Sequence, residues 1–581
     1  MGITNDGLSH WQAETAGEPL LEMTVGDFLD QRAQEFPTRE AIVYSGYPEF
    51  GGALDIRLTY SQYRDQANAV AKGLLALRLK KGDHVAVWAT NTPEWVLLHM
   101  AAAKVGLVLV TVNPLLRAAE VEYILKQGDV QALFFMAKVR DNDCLATTHS
   151  LTIPGAQHGE VTSERLPRLR YTCLVGAPPA DLLGQSDWRP AIFREMVAGG
   201  AAISNEALAE RQASVQPTDP ALLMYTSGTT GFPKGALLTQ RGVLNNGRLL
   251  ARRLGMGEAS RLCSPMPFFH AMGCVVSTLG ALGAGGTLHA MLAFDPLKMM
   301  QIISAEHCTN ALGVPTMILA ILQHPELSKY DLSSLKQVGS GGAPVPVAMM
   351  EQVKERIGAD VAIGFGQTEA CAVLTATQPD DSFEMKSATV GVPQPYTEIK
   401  IIDPATGAIV PVGERGELCA RGYAVMVGYY NMPERSAEAI DKDGWLHTGD
   451  LATIDAQGYV NIVGRLKEMV IRGGENLFPR EIEEFLIRHP KVSDVAVLGL
   501  PDQFFGEELL AVVIPKAGES VTEEELRAFC DGQISRQKIP RYFQFTDAFP
   551  LTGSGKVQKF ILREQAIPTL GLQEAARTRT A

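Results

Sequence analysis

The sequence predicts an α/β fold: a large N-terminal α/β domain with a β-rich subdomain, then a small C-terminal α+β domain. Three observations carry that expectation. Apolar strands alternate with helical patterns from Thr24 to Val112 and again from 262 to 345, a spacing that implies parallel strands joined by helical crossovers. From 387 to 463 the pattern changes to short strands with turns at Asp403-Pro404, Thr406-Gly407, Asp443-Gly444 and Gln457-Gly458. Beyond Gly464 come strands at Asp494–Leu500 and Leu509–Pro515 and a helix opened by the capping box Thr522-x-x-Glu525. The expected domains are therefore 1–464 and 465–581.

The elements follow in order. Thr24 can cap a helix running to Glu35, stopped before Pro37, with Ala41–Tyr44 as the next strand. A helical pattern spans Ser61–Leu79, and the turn Lys80-Lys81-Gly82-Asp83 leads into the strand His84–Ala89. Asn91-Thr92-Pro93-Glu94 opens a helix with proline in its first turn, and the strand Leu107–Val112 follows. Residues 137 to 200 show little periodicity. Gln216-Pro217-Thr218-Asp219-Pro220 punctuates the chain before the apolar strand Ala221–Tyr225. The tail after Glu564 reads as loose and non-catalytic.

Bulk properties narrow the function classes. With 46% hydrophobic and 20% charged residues, the composition is that of a globular protein with ample chain for a core. A net charge of −13 argues against nucleic acid as a partner. The eight scattered cysteines include no CxxC pair, which points to reduced thiols in a cytoplasmic setting and away from a disulfide framework or zinc site. No signal peptide is legible. The apolar stretches Trp95–Val112 and Val275–Phe294 carry His99, Lys104 and His289, which fits buried segments better than membrane spans. Peripheral membrane contact and a homodimer stay open.

The stretch with the clearest chemistry is Thr226-Ser227-Gly228-Thr229-Thr230-Gly231-Phe232-Pro233-Lys234. It sits between an apolar strand and the apolar segment Ala236–Thr239. Glycines let a backbone close around a polyanion, hydroxyls and N–H groups donate to its oxygens, and Lys234 supplies charge. That is the chemistry of a triphosphate cradle. It is not a Walker A loop, because Lys234 stands three residues beyond Gly231 and is followed by glycine.

These residues resemble the signature loop of the adenylate-forming (AMP-binding) superfamily, and further motifs appear in that family's order. Pro267-Phe268-Phe269-His270 resembles the aromatic-histidine element at the acyl pocket. Gly341-Gly342-Ala343-Pro344 resembles the loop lining the adenine. Gly364-Phe365-Gly366-Gln367-Thr368-Glu369 resembles the element in which threonine meets the α-phosphate region and glutamate helps hold Mg²⁺, with Phe365 where tyrosine is common. Thr448-Gly449-Asp450 resembles the ribose-binding element, and Arg465 and Lys467 match a nucleotide contact and an interdomain hinge. Arg472-Gly473-Gly474-Glu475-Asn476 resembles the loop that closes over the pantetheine of CoA. Pro550–Lys556 resembles the catalytic lysine loop of a mobile C-terminal domain. The likeness runs from Thr24 to Arg563 and is nearest to the medium-chain fatty acyl-CoA synthetase branch.

The resemblance implies an acid–thiol ligase using ATP, Mg²⁺ and coenzyme A on a small carboxylic acid. Lys556, Thr226, Glu369 and His270 would be catalytic, Glu369 holding the metal. The nucleotide would meet the 226–234 loop, Gly342, Ala343, Pro344, Phe365, Gly366, Gln367, Thr368, Asp450, Arg465 and Lys556. CoA would meet Arg472, Gly473, Gly474 and Glu475. The acyl pocket would be lined by Phe269, His270, Met272, Val314, Thr316, Gly339 and Gly366. Acetate-specific relatives carry tryptophan at the position of Gly366, so glycine there is expected to leave room for a longer chain or ring. A medium-chain acid is the first expectation and an aromatic or alicyclic acid the second. Other readings are an enzyme loading a carrier protein, a luciferase-like oxygenase, and an inactive nucleotide-binding scaffold.

Overall fold

The structure is a computed structural model that describes residues 7–13, 15, 19–47, 55–179, 189–226, 233–472, 475–502, 505–552 and 556–577, with only the backbone at 475, 476, 576 and 577. The chain groups into two compact units. One comprises the described residues of Gln12–Glu398 and Ala420–Leu446, the other those of Ile3–Trp11, Ile399–Cys419 and His447–Ala581.

The first unit is built on two large mixed sheets. One has eight strands in the order Ala191–Ile192, Tyr171–Leu174, Val130–Phe135, His84–Trp88, Val108–Val112, Pro220–Thr226, Lys234–Thr239, Gly428–Tyr429. Its strands are parallel as far as Pro220–Thr226 and antiparallel beyond. His84–Trp88 and Val108–Val112 are buried at every position, which is why they read as continuous apolar runs. The second sheet has nine strands around a parallel centre that includes Arg261–Ser264, Asn310–Leu312, Gln337–Gly341 and Asp360–Phe365.

The predicted helix starts are found. Thr24 caps Val25–Glu35 by accepting from the Asp27 N–H, and Thr59 and Gln62 form a capping box on Tyr60–Ala76. That second helix ends three residues before the expected Leu79, because Arg78 turns left-handed (φ 57°) and breaks the ladder. No helix among the described residues is long and apolar enough to cross a membrane.

The second unit carries most of a five-stranded sheet in the order His10–Trp11, Thr397–Ile402, Gly416–Gly422, Leu446–Ile454, Val460–Arg465. It also holds a sheet whose longest strands, Val492–Asp502 and Gly506–Pro515, are antiparallel. Alternation along these strands makes two cores. Val495, Val497, Leu509 and Ala511 pack with Ile482, Leu486 and Leu526. Ala496, Leu498, Leu500 and Leu510 pack with Leu562 and Ala566.

That second core corrects the expectation of a loose tail. Residues beyond Glu564 form the helices Lys559–Thr569 and Gln573–Arg577, and Leu562, Ala566 and Leu570 recur at helical spacing to present one apolar face.

Candidate active site

In the first unit the phosphate-loop candidate is the connection of a β-hairpin. Thr226 ends one strand directly opposite Lys234, which begins the next. Tyr123 donates its hydroxyl to the Pro233 carbonyl (3.0 Å), fixing the second strand's entry. Ser227, Gly228, Thr229, Thr230, Gly231 and Phe232 lie outside the described residues. Thr226 Oγ1 stands 3.4 Å from Glu369 Oε1, so the hairpin neck reaches the second motif.

Glu369 sits on a single 3₁₀ turn, Thr368–Ala370, after the strand Asp360–Phe365. The next two residues, Cys371 (φ 58°) and Ala372 (φ 131°), occupy positive-φ backbone that side-chain-bearing residues rarely adopt. The buried Asn246 holds the chain there: its amide donates to the Val373 carbonyl (2.8 Å) and its Oδ1 accepts the Val373 N–H (3.2 Å). The Met426 N–H donates to the Glu369 carbonyl (2.8 Å). Replacing Asn246 with Ala strands two buried peptide groups at a strained turn. We expect a loss of about 2–4 kcal/mol, measured by denaturant unfolding.

The carboxylate is held by a residue whose role the sequence reading did not assign. Tyr429 donates its hydroxyl to Glu369 Oε1 (2.8 Å), and Lys234 Nζ lies 4.0 Å from the centre of the same ring. Burial, with the Glu369 charge, pushes the Tyr429 phenol up, so it stays a donor. Both hydrogen bonds fall on Oε1, leaving Oε2 without a donor among the described residues. One available carboxylate oxygen beside a polyanion site fits a hard divalent cation taking its other ligands from phosphate and water.

The aromatic-histidine element divides. Phe268 is buried against Trp95 (5.3 Å), whereas Phe269, His270 and Met272 stay half-buried. Asn91 pins the segment by accepting the Phe268 N–H (2.8 Å) and donating to Met266 O (3.0 Å) and Met291 O (2.9 Å). Thr111 Oγ1 donates to Phe269 O (2.9 Å). A π-helix, Met272–Leu279, follows. Val314 is buried at the start of Pro315–Leu322, and Thr316 is exposed. Gly342, Ala343 and Pro344 form an exposed turn after Gln337–Gly341, with Gly342 at φ 76°.

Two glycines need a different account from the one expected. A Cβ at Gly366 would stand 2.1 Å from the Ala372 carbonyl oxygen and 2.6 Å from Val373 Cα. Glycine is there because the strained turn doubles back over it, and the expected room for an acyl chain is filled in that direction by backbone. A Cβ at Gly339 would meet Leu312 Cδ2 at 2.5 Å and Leu254 Cδ2 at 3.0 Å, so that position faces packed core.

In the second unit Asp450 and Arg465 are register partners on adjacent strands, with Arg465 Nε 2.9 Å from Asp450 Oδ1. Asp450 is buried, and its Oδ2 has no hydrogen-bond partner among the described residues. Burial holds its carboxyl above the ordinary value, against the lowering charges of Arg465 and Lys556. A buried, unpartnered carboxylate oxygen suits an incoming hydroxyl donor. Thr448 secures this turn, its Oγ1 donating to Leu418 O (2.7 Å) and accepting the Asp450 N–H (3.1 Å).

Lys556 is paired with Thr552: the Thr552 N–H donates to Lys556 O (2.8 Å) and the Lys556 N–H to Thr552 Oγ1 (3.0 Å). Lys467 is exposed on the one-turn helix Leu466–Glu468. Arg472 is already committed to an ion pair with the buried Glu508, Nε to Oε2 and a second nitrogen to Oε1, each 2.8 Å. Gly473, Gly474 and the side chain of Glu475 lie outside the described residues.

The AMP-binding enzyme profile matches residues 29–430, and that of the AMP-binding enzyme C-terminal domain matches 481–556. A Bacillus subtilis protein named as an acyl-CoA synthetase, YngI, is 44% identical over 96% of this chain and 99% of its own. The human mitochondrial medium-chain acyl-CoA ligase ACSF2 is 39% identical over 96% of this chain and 90% of its own. Among solved structures, the anthranilate CoA ligase AuaEII in complex with anthranoyl-AMP superimposes with a TM-score of 0.80 at 26% identity, covering 96% of this chain and 99% of its own. A Mycobacterium tuberculosis fatty acyl CoA synthetase gives 0.67 at 30% identity, covering 94% and 99%.

Proposed function

The chain belongs to the AMP-binding enzyme family as an AMP-forming acid–CoA ligase, and from that premise we propose that its acid is a medium-chain monocarboxylate activated at the residues described above. In the first half-reaction the acid's carboxylate attacks the α-phosphorus of ATP, forming acyl-AMP and releasing pyrophosphate. In the second the CoA thiol attacks the acyl carbon, forming the thioester and releasing AMP. The carboxylate is already ionised at neutral pH, so the protein's task is positioning and charge neutralisation.

Within that scheme Asp450 would take a ribose hydroxyl on its unpartnered oxygen. Thr226, Lys234 and the loop between them would hold the departing pyrophosphate. Glu369 would hold Mg²⁺, which neutralises phosphate charge when bound. Lys556 would bridge the carboxylate and the α-phosphate, and the chain would pivot at Lys467 between 1–464 and 465–581, exchanging the lysine loop for the CoA-facing loop at 472–475.

The observation that carries the site assignment is the meeting of Thr226, Lys234, Glu369 and Tyr429, four residues from three separate stretches. The likeness to ligases named for medium-chain acids supports the substrate class. The likeness to an anthranilate CoA ligase favours an aromatic acid as second reading. AMP release across acids from acetate to palmitate, with benzoate and cyclohexanecarboxylate, separates the two. A CoA-dependent maximum between hexanoate and decanoate is expected; a maximum on benzoate would replace the first reading by the second.

Tyr429→Phe tests the Glu369 assignment. It keeps the ring beside Lys234 and removes one hydrogen bond to a charged acceptor, worth about 1.5–3 kcal/mol. We expect kcat/KM for adenylation to fall roughly tenfold or more, with a higher Mg²⁺ requirement. An unchanged Mg²⁺ titration would detach Tyr429 and Glu369 from the metal.

A further inference from the structure

The five-stranded sheet carries a cluster that none of these roles uses. Glu417 and Cys419 stand two apart on Gly416–Gly422, on one face of the strand, and His447 lies on Leu446–Ile454 beside them. One ligand atom from each lies within 4.8 Å of the others. His447 Nδ1 is 2.9 Å from Glu417 Oε2 and 3.6 Å from Cys419 Sγ. Metal–sulfur and metal–nitrogen bonds of about 2.3 and 2.0–2.1 Å at a tetrahedral zinc ion place those two atoms about 3.5 Å apart. Glu417 and Cys419 are buried, and the imidazole is half-buried, leaving a way in for an ion.

We propose that Glu417 Oε2, Cys419 Sγ and His447 Nδ1 form a three-ligand site for a borderline transition-metal ion of the Zn²⁺ class, with a fourth position for water. Thiolate and imidazole select against Mg²⁺, so this site is chemically separate from one at Glu369. Binding releases the thiol proton to solvent and moves the Nδ1 proton off that nitrogen, the neutral imidazole then carrying its one proton on Nε2. The site adjoins the Asp450 turn: Glu417 Oε1 accepts the Gly449 N–H (3.1 Å), and His447 directly precedes Thr448. The proposal concerns binding alone and stands independently of the substrate reading.

The test is a Co²⁺ titration of the full chain. A thiolate-to-metal band in the near ultraviolet and tetrahedral visible bands should saturate at one equivalent and be abolished by Zn²⁺ but not by Mg²⁺. Cys419→Ala should lose the thiolate band. His447→Asn, a change at a partly exposed ring, should weaken Co²⁺ binding by about tenfold or more. Absence of the band at one equivalent, or an unaltered band in Cys419→Ala, would overturn the site. If Cys419→Ala fails to fold, affinity unchanged in His447→Asn overturns it equally.

Discussion

Lys556→Ala is expected to lower ATP–pyrophosphate exchange by about 10²–10³-fold, the effect of removing one preorganised charge from a transition state that develops negative oxygen. The same variant should make thioester from preformed acyl-adenylate at a rate close to the parent enzyme's. The difference arises because only the first half-reaction brings two anions together at phosphorus. Lys556 already stands where its charge reaches Asp450, and its backbone N–H and C=O both pair with Thr552. Alanine therefore removes the charge while keeping the backbone groups that pair with Thr552. Equal losses in both half-reactions would show that Lys556 serves the fold or both steps, and the proposed division of labour would fail.

Arg472→Ala is expected to destabilise the second unit by up to about 3–5 kcal/mol, because it takes the close, two-pronged partner from a buried carboxylate and leaves it the longer contact with Arg541. Glu508 is 1% exposed, and its close charged neighbours are Arg472 at 2.8 Å and Arg541 at 3.8 Å. Replacing both partners with apolar residues, Arg472→Met with Glu508→Leu, should recover most of that loss. Thermal unfolding of the two variants and the parent protein measures it. The pair of variants also separates two roles for Arg472. If the double variant is stable but its KM for CoA rises, the guanidinium contacts CoA as the sequence reading expects. If KM is unchanged, Arg472 only holds the Glu508 strand to Val470–Arg472.

Much of the architecture was legible because it is written locally. The Thr24 cap, the Thr522–Glu525 capping box and the apolar strands at His84–Trp88 and Val108–Val112 depend on side chains within a few residues of each other. The strand–loop–strand at 220–239 is legible for the same reason, whereas its antiparallel pairing is decided by the fold. The tail was misread because its apolar face at Leu562, Ala566 and Leu570 means little until the Ala496–Leu500 strand supplies the surface it covers. The reading of Gly366 misled because the residues that crowd it are backbone atoms of a turn whose positive φ values no residue type announces.

By itself, then, the sequence determined the α/β class, the order of the motifs and the family they resemble, since each rests on periodicity or on contiguous residue types. The tertiary structure alone decided which partners complete them. Tyr429 reaches Glu369 across 60 residues and Asn246 reaches Val373 across 127. It also left Asp450 Oδ2 buried with no donor among the described residues and gathered Glu417, Cys419 and His447 on neighbouring strands. Such contacts are set by strand order and register, properties of the whole folded chain that are absent from any short window of it.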